Sequence, residues 1–346
     1  MGLRVFGNRE LEAADRILRH VERGGTAVLE GRWERVLRLR EWLAKRCRDK
    51  EALQRLALRA SGDWVRTVEP PIHLPYLPLI TGSPILEEYL VPLEELVAGL
   101  AAQAALHPVE ALGASLVVHR NVLVPRSQPL IHLLRRAMEA QRPDLPASPS
   151  VLDMGCGSGV CALVAAQVWP AARITATDHL PEAIATTRIN VDRMEAAGLI
   201  RPGAVQVTQP GDLFEHLGGA RYDLIIFNAP WVVAPARNRA ETALNDAGQA
   251  TVRRFLSQAA TRLNQGGRVL LGYANHSGES AIGNLERFIA EAGLRVVRRH
   301  TDRIKTHRAH RSWQAIYAYD LCTGPNDIPE DRAGRGGESD SVDCAD

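Results

Sequence analysis

VLDMGCGSGVCALVAA, residues 151–166, runs from an apolar segment through Asp153 and three alternate glycines, Gly155, Gly157 and Gly159, into a second apolar segment. The first segment has the length of a buried strand, the second that of a helix. Alternate glycines permit a tight turn and let a ligand lie against bare backbone. The helix start beyond them offers free N–H groups. A strand, a glycine turn and a helix in succession open a nucleotide-type α/β fold. The dinucleotide fingerprint needs a glycine where Val160 stands, so the loop points away from a nicotinamide dinucleotide and towards another nucleoside ligand.

Downstream the pattern alternates. Strands are expected near 174–178, 205–207, 224–228 and 268–273, with helices near 160–169, 181–197, 247–263 and 279–292. This spacing implies parallel strands joined by crossover helices, a doubly wound sheet. Two last segments, 295–300 and 313–319, are close enough to pair antiparallel at one edge. The second strand ends at Asp178, where a carboxylate can accept both ribose hydroxyls or cap the helix starting at Pro181. His179 beside it reads as a pocket-wall or capping residue. After the third strand, Asp212 and Leu213 stand where an adenine amino group and ring would meet an acceptor and an apolar wall, although Asp is also a common turn former.

The fourth strand ends in Asn228-Ala229-Pro230-Trp231, at the carboxyl edge where open α/β sheets bind ligands. The pattern D-x-G-x-G-x-G at 153–159 resembles the first motif of class I S-adenosylmethionine (SAM) methyltransferases. NAPW resembles the NPPY motif of those acting on nitrogens conjugated to a π-system. VLVPRSQPL (122–130), PEAIATTRIN (181–190) and GDLFEHLGGARYDLIIFNAPW (211–231) are similar to runs in the HemK-type release-factor glutamine methyltransferases. The resemblance covers about 115–320, with Ala229 for the motif's first proline, Trp231 for its tyrosine, and none of the family's acidic residue after Pro125-Arg126.

That resemblance implies a Rossmann-like, seven-stranded, mostly parallel sheet and SAM as cofactor. Asp153, Gly155, Cys156, Gly157, Ser158, Gly159, Asp178, His179, Asp212, Leu213 and Asn228 would hold it. Asn228, Ala229, Pro230 and Trp231 would be catalytic. The Asn228 side-chain oxygen and the Ala229 carbonyl would accept the two hydrogens of an amide or amino nitrogen, Pro230 would fix the turn, and Trp231 would stack on the planar acceptor. In-line displacement asks mainly for positioning and desolvation. The acceptor is expected to be a protein or small molecule. Methylation of an RNA or DNA base amino group is the alternative, with O-methylation of a natural product behind it.

The chain has 346 residues, which suggests more than one domain. Residues 1–110 are expected to form a mainly helical substrate-recognition domain, from the stripe Leu11, Ala14, Ile17, Leu18, Val21 and its continuation through Val36, Leu39, Trp42, Leu43, Leu53, Leu56 and Ala57. A Pro-rich stretch at 70–92 reads as a boundary region, 111–149 as hairpin (115–126), helix (128–141) and linker, 150–321 as the SAM domain, and 322–346 as a polar disordered tail. A net charge of +2 argues neither for nor against nucleic acid. RRHTDRIKTHRAHR (298–311) is a basic connection that either meets anionic groups or is simply solvated. The five cysteines lack a CxxC pair and fit a reducing compartment. His73, His119 and His132 show no ligand spacing, so no metal is expected. Without a signal peptide or a long apolar run, a cytoplasmic location away from membranes is expected. Oligomeric state is not readable.

Overall fold

A computed structural model describes residues 2–83, 86–308 and 311–324. Among these, the main sheet has seven strands. They are β1 (Ser150–Met154), β2 (Arg173–Thr177), β3 (Val205–Val207), β4 (Tyr222–Asn228), β5 (Leu263–Ala274), β6 (Leu294–Arg308) and β7 (Arg311–Thr323). Their order is β3-β2-β1-β4-β5-β7-β6. The first five run parallel, and β7 enters antiparallel between β5 and β6. Helices α1 (Gln128–Gln141), α2 (Val160–Val168), α3 (Pro181–Ala196), α4 (Ala250–Ala259) and α5 (Glu279–Glu291) cover it.

Both faces of the central strands are buried, so they read as unbroken apolar runs. Side chains alternate between the faces. Val151, Leu224, Ile226 and Leu270 pack with Leu130, Leu134 and Ala162 on the side of α1 and α2. Leu152, Met154, Ile225, Phe227, Val269 and Leu271 pack with Phe255, Leu256, Leu285 and Ile289 of α4 and α5. Phe255 meets Phe227 at 4.5 Å and Phe214 at 5.8 Å between ring centroids, so removing it would cost about 3–5 kcal/mol.

Four sequence expectations are corrected. Residues 1–110 do contain the helices Ala14–Glu22, Trp33–Arg46 and Leu93–Ala104, but they pack on a six-stranded sheet. Leu3–Phe6, Thr26–Leu29 and Leu56–Ser61 run parallel, and Trp64–Val65, Ile72–His73 and Tyr89–Pro92 join antiparallel. Leu53, Leu56 and Ala57 do not continue a helical stripe, because Leu56, Ala57, Leu58 and Ala60 are all buried in one strand. The Pro-rich stretch belongs to this unit: Tyr89–Pro92 pairs with Leu56–Ser61 and Leu77 and Ile80 lie in its core. The hairpin expected at 115–126 instead pairs Leu106–Val109 with Ala114–Val117, and 118–127 is irregular, with a turn in which Val122 N–H donates to the His119 carbonyl at 3.2 Å. The basic stretch expected as a connection is mostly strand, running through β6 to Arg308 and meeting the start of β7 at Arg311. β7 reaches Thr323; the disordered-tail expectation for 325–346 lies outside the described residues.

The short helix Leu77–Thr81 packs on α3. The Tyr76 hydroxyl donates to Asp192 at 3.0 Å, and Ala185 and Ile189 of α3 complete the N-terminal core. Asn190 of α3 donates Nδ2–H to the carbonyls of Val117 (2.8 Å) and Ser158 (2.9 Å) and accepts from Val117 N–H (2.8 Å).

Candidate active site

A cavity of about 320 Å³ opens at the carboxyl edge of β1, β2 and β4. The glycine loop forms one wall. Gly155, Gly157 and Gly159 all have left-handed backbone, with φ of 66°, 53° and 81°. At Gly159 a side chain is doubly excluded, because a β-carbon would sit 3.0 Å from Thr187 Cγ2. The loop is also braced: Thr187 Oγ1–H donates to the Gly157 carbonyl at 3.1 Å, and Cys156 N–H to the Thr177 carbonyl at 2.9 Å. Cys156 and Ser158 line the cavity through this loop, and burial pushes the Cys156 thiol well up.

The acidic residues separate into different jobs. Asp153 is 1% exposed, does not line the cavity, and accepts the Ala162 N–H of α2 at 2.9 Å. Burial pushes its carboxyl up to about 7, against that hydrogen bond and with the Asp178 charge adding to it. The residue thus braces the helix beneath the loop. Asp178 does face the cavity, accepting from Gly157 N–H (3.0 Å) and Leu180 N–H (2.9 Å). It is therefore a pocket carboxylate that also closes the turn leading into α3, not the expected cap, since no side chain caps that helix. His179 lines the same wall, and its hydrogen bond to Asp178 holds its ring's affinity for protons above the ordinary value. Asp212 also lines the cavity but is half-exposed and paired with Arg254 at 2.6 Å. Leu213 beside it is buried, with a left-handed φ of 47°.

Opposite lies Asn228, the last residue of β4. Its Oδ1 is buried with no hydrogen-bond partner, and the residue lines the cavity with Pro230 and Trp231. Ala229 is fully buried behind them, its N–H held by the Gly272 carbonyl at 3.1 Å. Gly272 pairs with Asn228 across the sheet, and a β-carbon there would lie 2.9 Å from Asn228 Oδ1. Ser277 Oγ–H donates to the Trp231 carbonyl at 3.2 Å and accepts Val233 N–H at 2.8 Å, fixing the turn after the motif.

Two segments rim the cavity, 121–127 and 242–244. Glu182, buried at the start of α3, ties them together: it accepts from Asn121 Nδ2–H (3.1 Å) and Arg239 Nη2–H (2.9 Å). Glu182, Thr187, Asn190 and Gly272 had no role in the sequence reading. The first three fall within PEAIATTRIN, but their partners lie 30 to 73 residues away along the chain. Gly272 had no visible signal, since its job is to leave space. Among the described residues no group of three or more His, Cys, Asp or Glu is placed to hold a metal ion.

The cavity suits a SAM-sized ligand on three counts: bare left-handed backbone, a pocket carboxylate at Asp178, and an unpaired acceptor at Asn228 across from them. The family model described as "Methyltransferase small domain" matches residues 132–298. The chain is 31% identical to the ribosomal protein uL3 glutamine methyltransferase of Burkholderia pseudomallei, over 62% of this chain and 77% of that one. It is 33% identical to the release factor glutamine methyltransferase of Geobacter sulfurreducens over 43% of this chain, spanning half of that relative's length. A solved precorrin-6y C5,15-methyltransferase from Geobacter metallireducens overlaps 60% of this chain and 93% of its own, at 13% identity and a TM-score of 0.40, too loose a likeness to argue from. On its motifs and on the uL3 enzyme's likeness, the chain belongs to the HemK-type family of SAM-dependent N-methyltransferases.

Proposed function

We propose that this enzyme methylates the side-chain amide nitrogen of glutamine in a protein acceptor. The carrying observation is Asn228: the residue lines the cavity, and its buried Oδ1 has no hydrogen-bond partner. Leaving such an atom unpaired costs about 1–3 kcal/mol, a cost removed when an acceptor's N–H reaches it. The names of the two relatives supply the substrate class.

The Gly155–Gly159 backbone, Asp178, Asp212 and Leu213 would hold SAM, with Cys156, Ser158 and His179 forming the wall around it. Asp153 supports that site from beneath. When bound, SAM supplies a methyl group on a sulfonium. An amide nitrogen is a poor nucleophile because its lone pair is delocalised into the carbonyl. Asn228 Oδ1 takes one amide hydrogen, and the Ala229 carbonyl, buried behind Pro230 and Trp231, takes the other once they yield to the acceptor, favouring a pyramidal nitrogen with its lone pair freed. Pro230 fixes that carbonyl's direction, and Trp231 packs on the amide plane. The proton leaves nitrogen after the new N–C bond forms, so no strong base is required of the chain. The buried apolar surroundings exclude water and strengthen both hydrogen bonds. We place the enzyme in the cytoplasm: the described thiols are free, and among the described residues no helix is long and apolar enough to cross a membrane.

The test uses tritiated SAM and a glutamine-bearing peptide, with the methylated residue located by mass spectrometry. Asn228→Ala is expected to bind SAM as the wild type does and to transfer at least a hundredfold more slowly, on the order of losing a transition-state hydrogen bond. Retained turnover, or wild-type methylation of a peptide whose glutamine is replaced by leucine, would sink the proposal.

A further inference from the structure

β6 and β7 are much longer than the strands they pair with. β5 ends at Ala274, opposite Ile316, while β6 and β7 stay paired out to Arg308 and Arg311. The excess projects beyond the carboxyl edge of the sheet, the edge that carries Asn228 to Trp231. It is anchored there: Ala315 N–H donates to Asn275 Oδ1 at 2.9 Å, and His276 Nδ1 meets Gln314 Oε1 at 3.3 Å. Residues 275–277 in turn end at Ser277, which holds the Trp231 carbonyl.

The hairpin's two faces differ. Ile304 and Ile316 pack inwards on the α1 side, where Arg136 of α1 also pairs with Asp302 at 3.0 Å. Side chains alternate along a strand, so Arg303, Lys305, Trp313 and Tyr317 share the other face. Trp313 is 50% exposed, and the Lys305 ammonium lies 5.8 Å from its ring centroid. Arg303 and Lys305 are exposed beside it. Nearer the base, the Arg299 guanidinium lies 5.5 Å from the Tyr317 ring. The sequence carries no acidic residue from Arg303 to Trp313.

An exposed indole gains from a flat partner laid on it, and the cations beside it favour a partner that carries negative charge. A nucleobase linked to phosphate satisfies both groups at once: the ring stacks while the cations meet the backbone anions. A two-stranded ribbon needs no groove to do this, and stacking requires unpaired bases.

We infer that the outer face of the β6–β7 hairpin binds single-stranded RNA through Trp313, Arg303 and Lys305. The RNA is a docking partner beside the active site and not the methyl acceptor, so the inference does not depend on which group is methylated. It names a role for the enzyme's cationic arm: recognising an acceptor that is presented together with RNA.

Fluorescence anisotropy of the full chain with a labelled oligouridine of about 12 nucleotides tests it. Wild type should bind in low salt and lose affinity as salt rises. Trp313→Ala should weaken binding by about tenfold or more, and Trp313→Phe should recover most of that loss, which separates stacking from misfolding. Arg303→Ala with Lys305→Ala should lower the salt slope by about 1.4. All three variants should methylate a free peptide at the wild-type rate, whatever that peptide's acceptor group. The inference is overturned if wild type ignores the oligomer, if Trp313→Ala binds as well as wild type, or if an RNA duplex or a poly-glutamate peptide binds equally and with the same response to the variants.

Discussion

Gly272→Ala isolates the position of one oxygen atom. A β-carbon at 272 would lie 2.9 Å from Asn228 Oδ1 and 3.4 Å from both Asn228 Cα and Leu134 Cδ2. The last two are ordinary contacts, so the burden falls on Oδ1, which must retreat by roughly 0.5 Å to reach the same separation. Oδ1 is the end of a side chain, and the strand itself need not move. The stability change should stay within about 1.5 kcal/mol, part of it offset because alanine gives up less chain entropy than glycine. Misplacing a reacting group by about 1 Å costs on the order of a hundredfold, so a half-ångström retreat should cost kcat about tenfold, near 1.4 kcal/mol. SAM affinity should hold within about twofold, since the glycine loop and Asp178 are untouched. Steady-state kinetics on a glutamine peptide, with calorimetry for SAM, would read both numbers. Combining Gly272→Ala with Asn228→Ala should add nothing to Asn228→Ala alone. An unchanged kcat, or a fall in kcat matched by an equal fall in SAM affinity, would refute the reasoning.

Other substitutions probe the loop and its surroundings. Gly159→Ala forces a left-handed alanine against Thr187, so SAM affinity should fall at least tenfold, read by calorimetry, at a strain of about 1–3 kcal/mol. His119 is buried with both ring nitrogens unpartnered, and burial holds its pKa down to about 4. The lowered value means stability present above the unfolded pKa near 6.5 is lost as pH falls towards 4. Urea titrations should show wild type losing about 3 kcal/mol over that window, and His119→Leu losing much less. Asp153 has the opposite sign: with a pKa raised from 3.8 to about 7, its contribution is intact below the first value and lost as pH rises through the second. Asp153→Asn, which keeps an acceptor for Ala162, should therefore gain on wild type between pH 4 and 8, up to about 4 kcal/mol; a constant difference across that range would contradict the assignment.

The catalytic sheet was readable from the chain because its strands are buried on both sides. Runs such as YDLIIF have no competing periodicity, and each is closed by a residue with a job, Asp178 or Asn228. The start of α1 was equally plain, with Pro129 in the first turn after Ser127. The N-terminal sheet was not readable. Thr26–Leu29 has four residues and Leu56–Ser61 six, and both abut Arg-rich helices whose stripe absorbs their apolar residues. The antiparallel pairing of 295–300 with 313–319 was readable, but its outer extension was not. The cations that crowd 298–308 read as a solvated connection, and the pairing that organises them lies in the backbone ladder, which side-chain patterning does not report. In the site, the residues that carry chemistry announced themselves as a motif. Those that hold it together, Glu182, Asn190 and Gly272, could not, because each acts on a segment distant in sequence.

Asn190 has a consequence for how the enzyme matures. One amide side chain closes on Val117, where the leading segment enters the catalytic unit, and on Ser158 in the glycine loop. A chain in which the sheet has formed but the leading segment has not yet seated leaves that amide one donor and one acceptor short, while its bond to Ser158 remains. Detaching the leading segment is therefore expected to loosen the side chain that braces the glycine loop and to weaken SAM binding. Because a ligand stabilises whichever state it prefers, SAM is then expected to favour the fully seated chain.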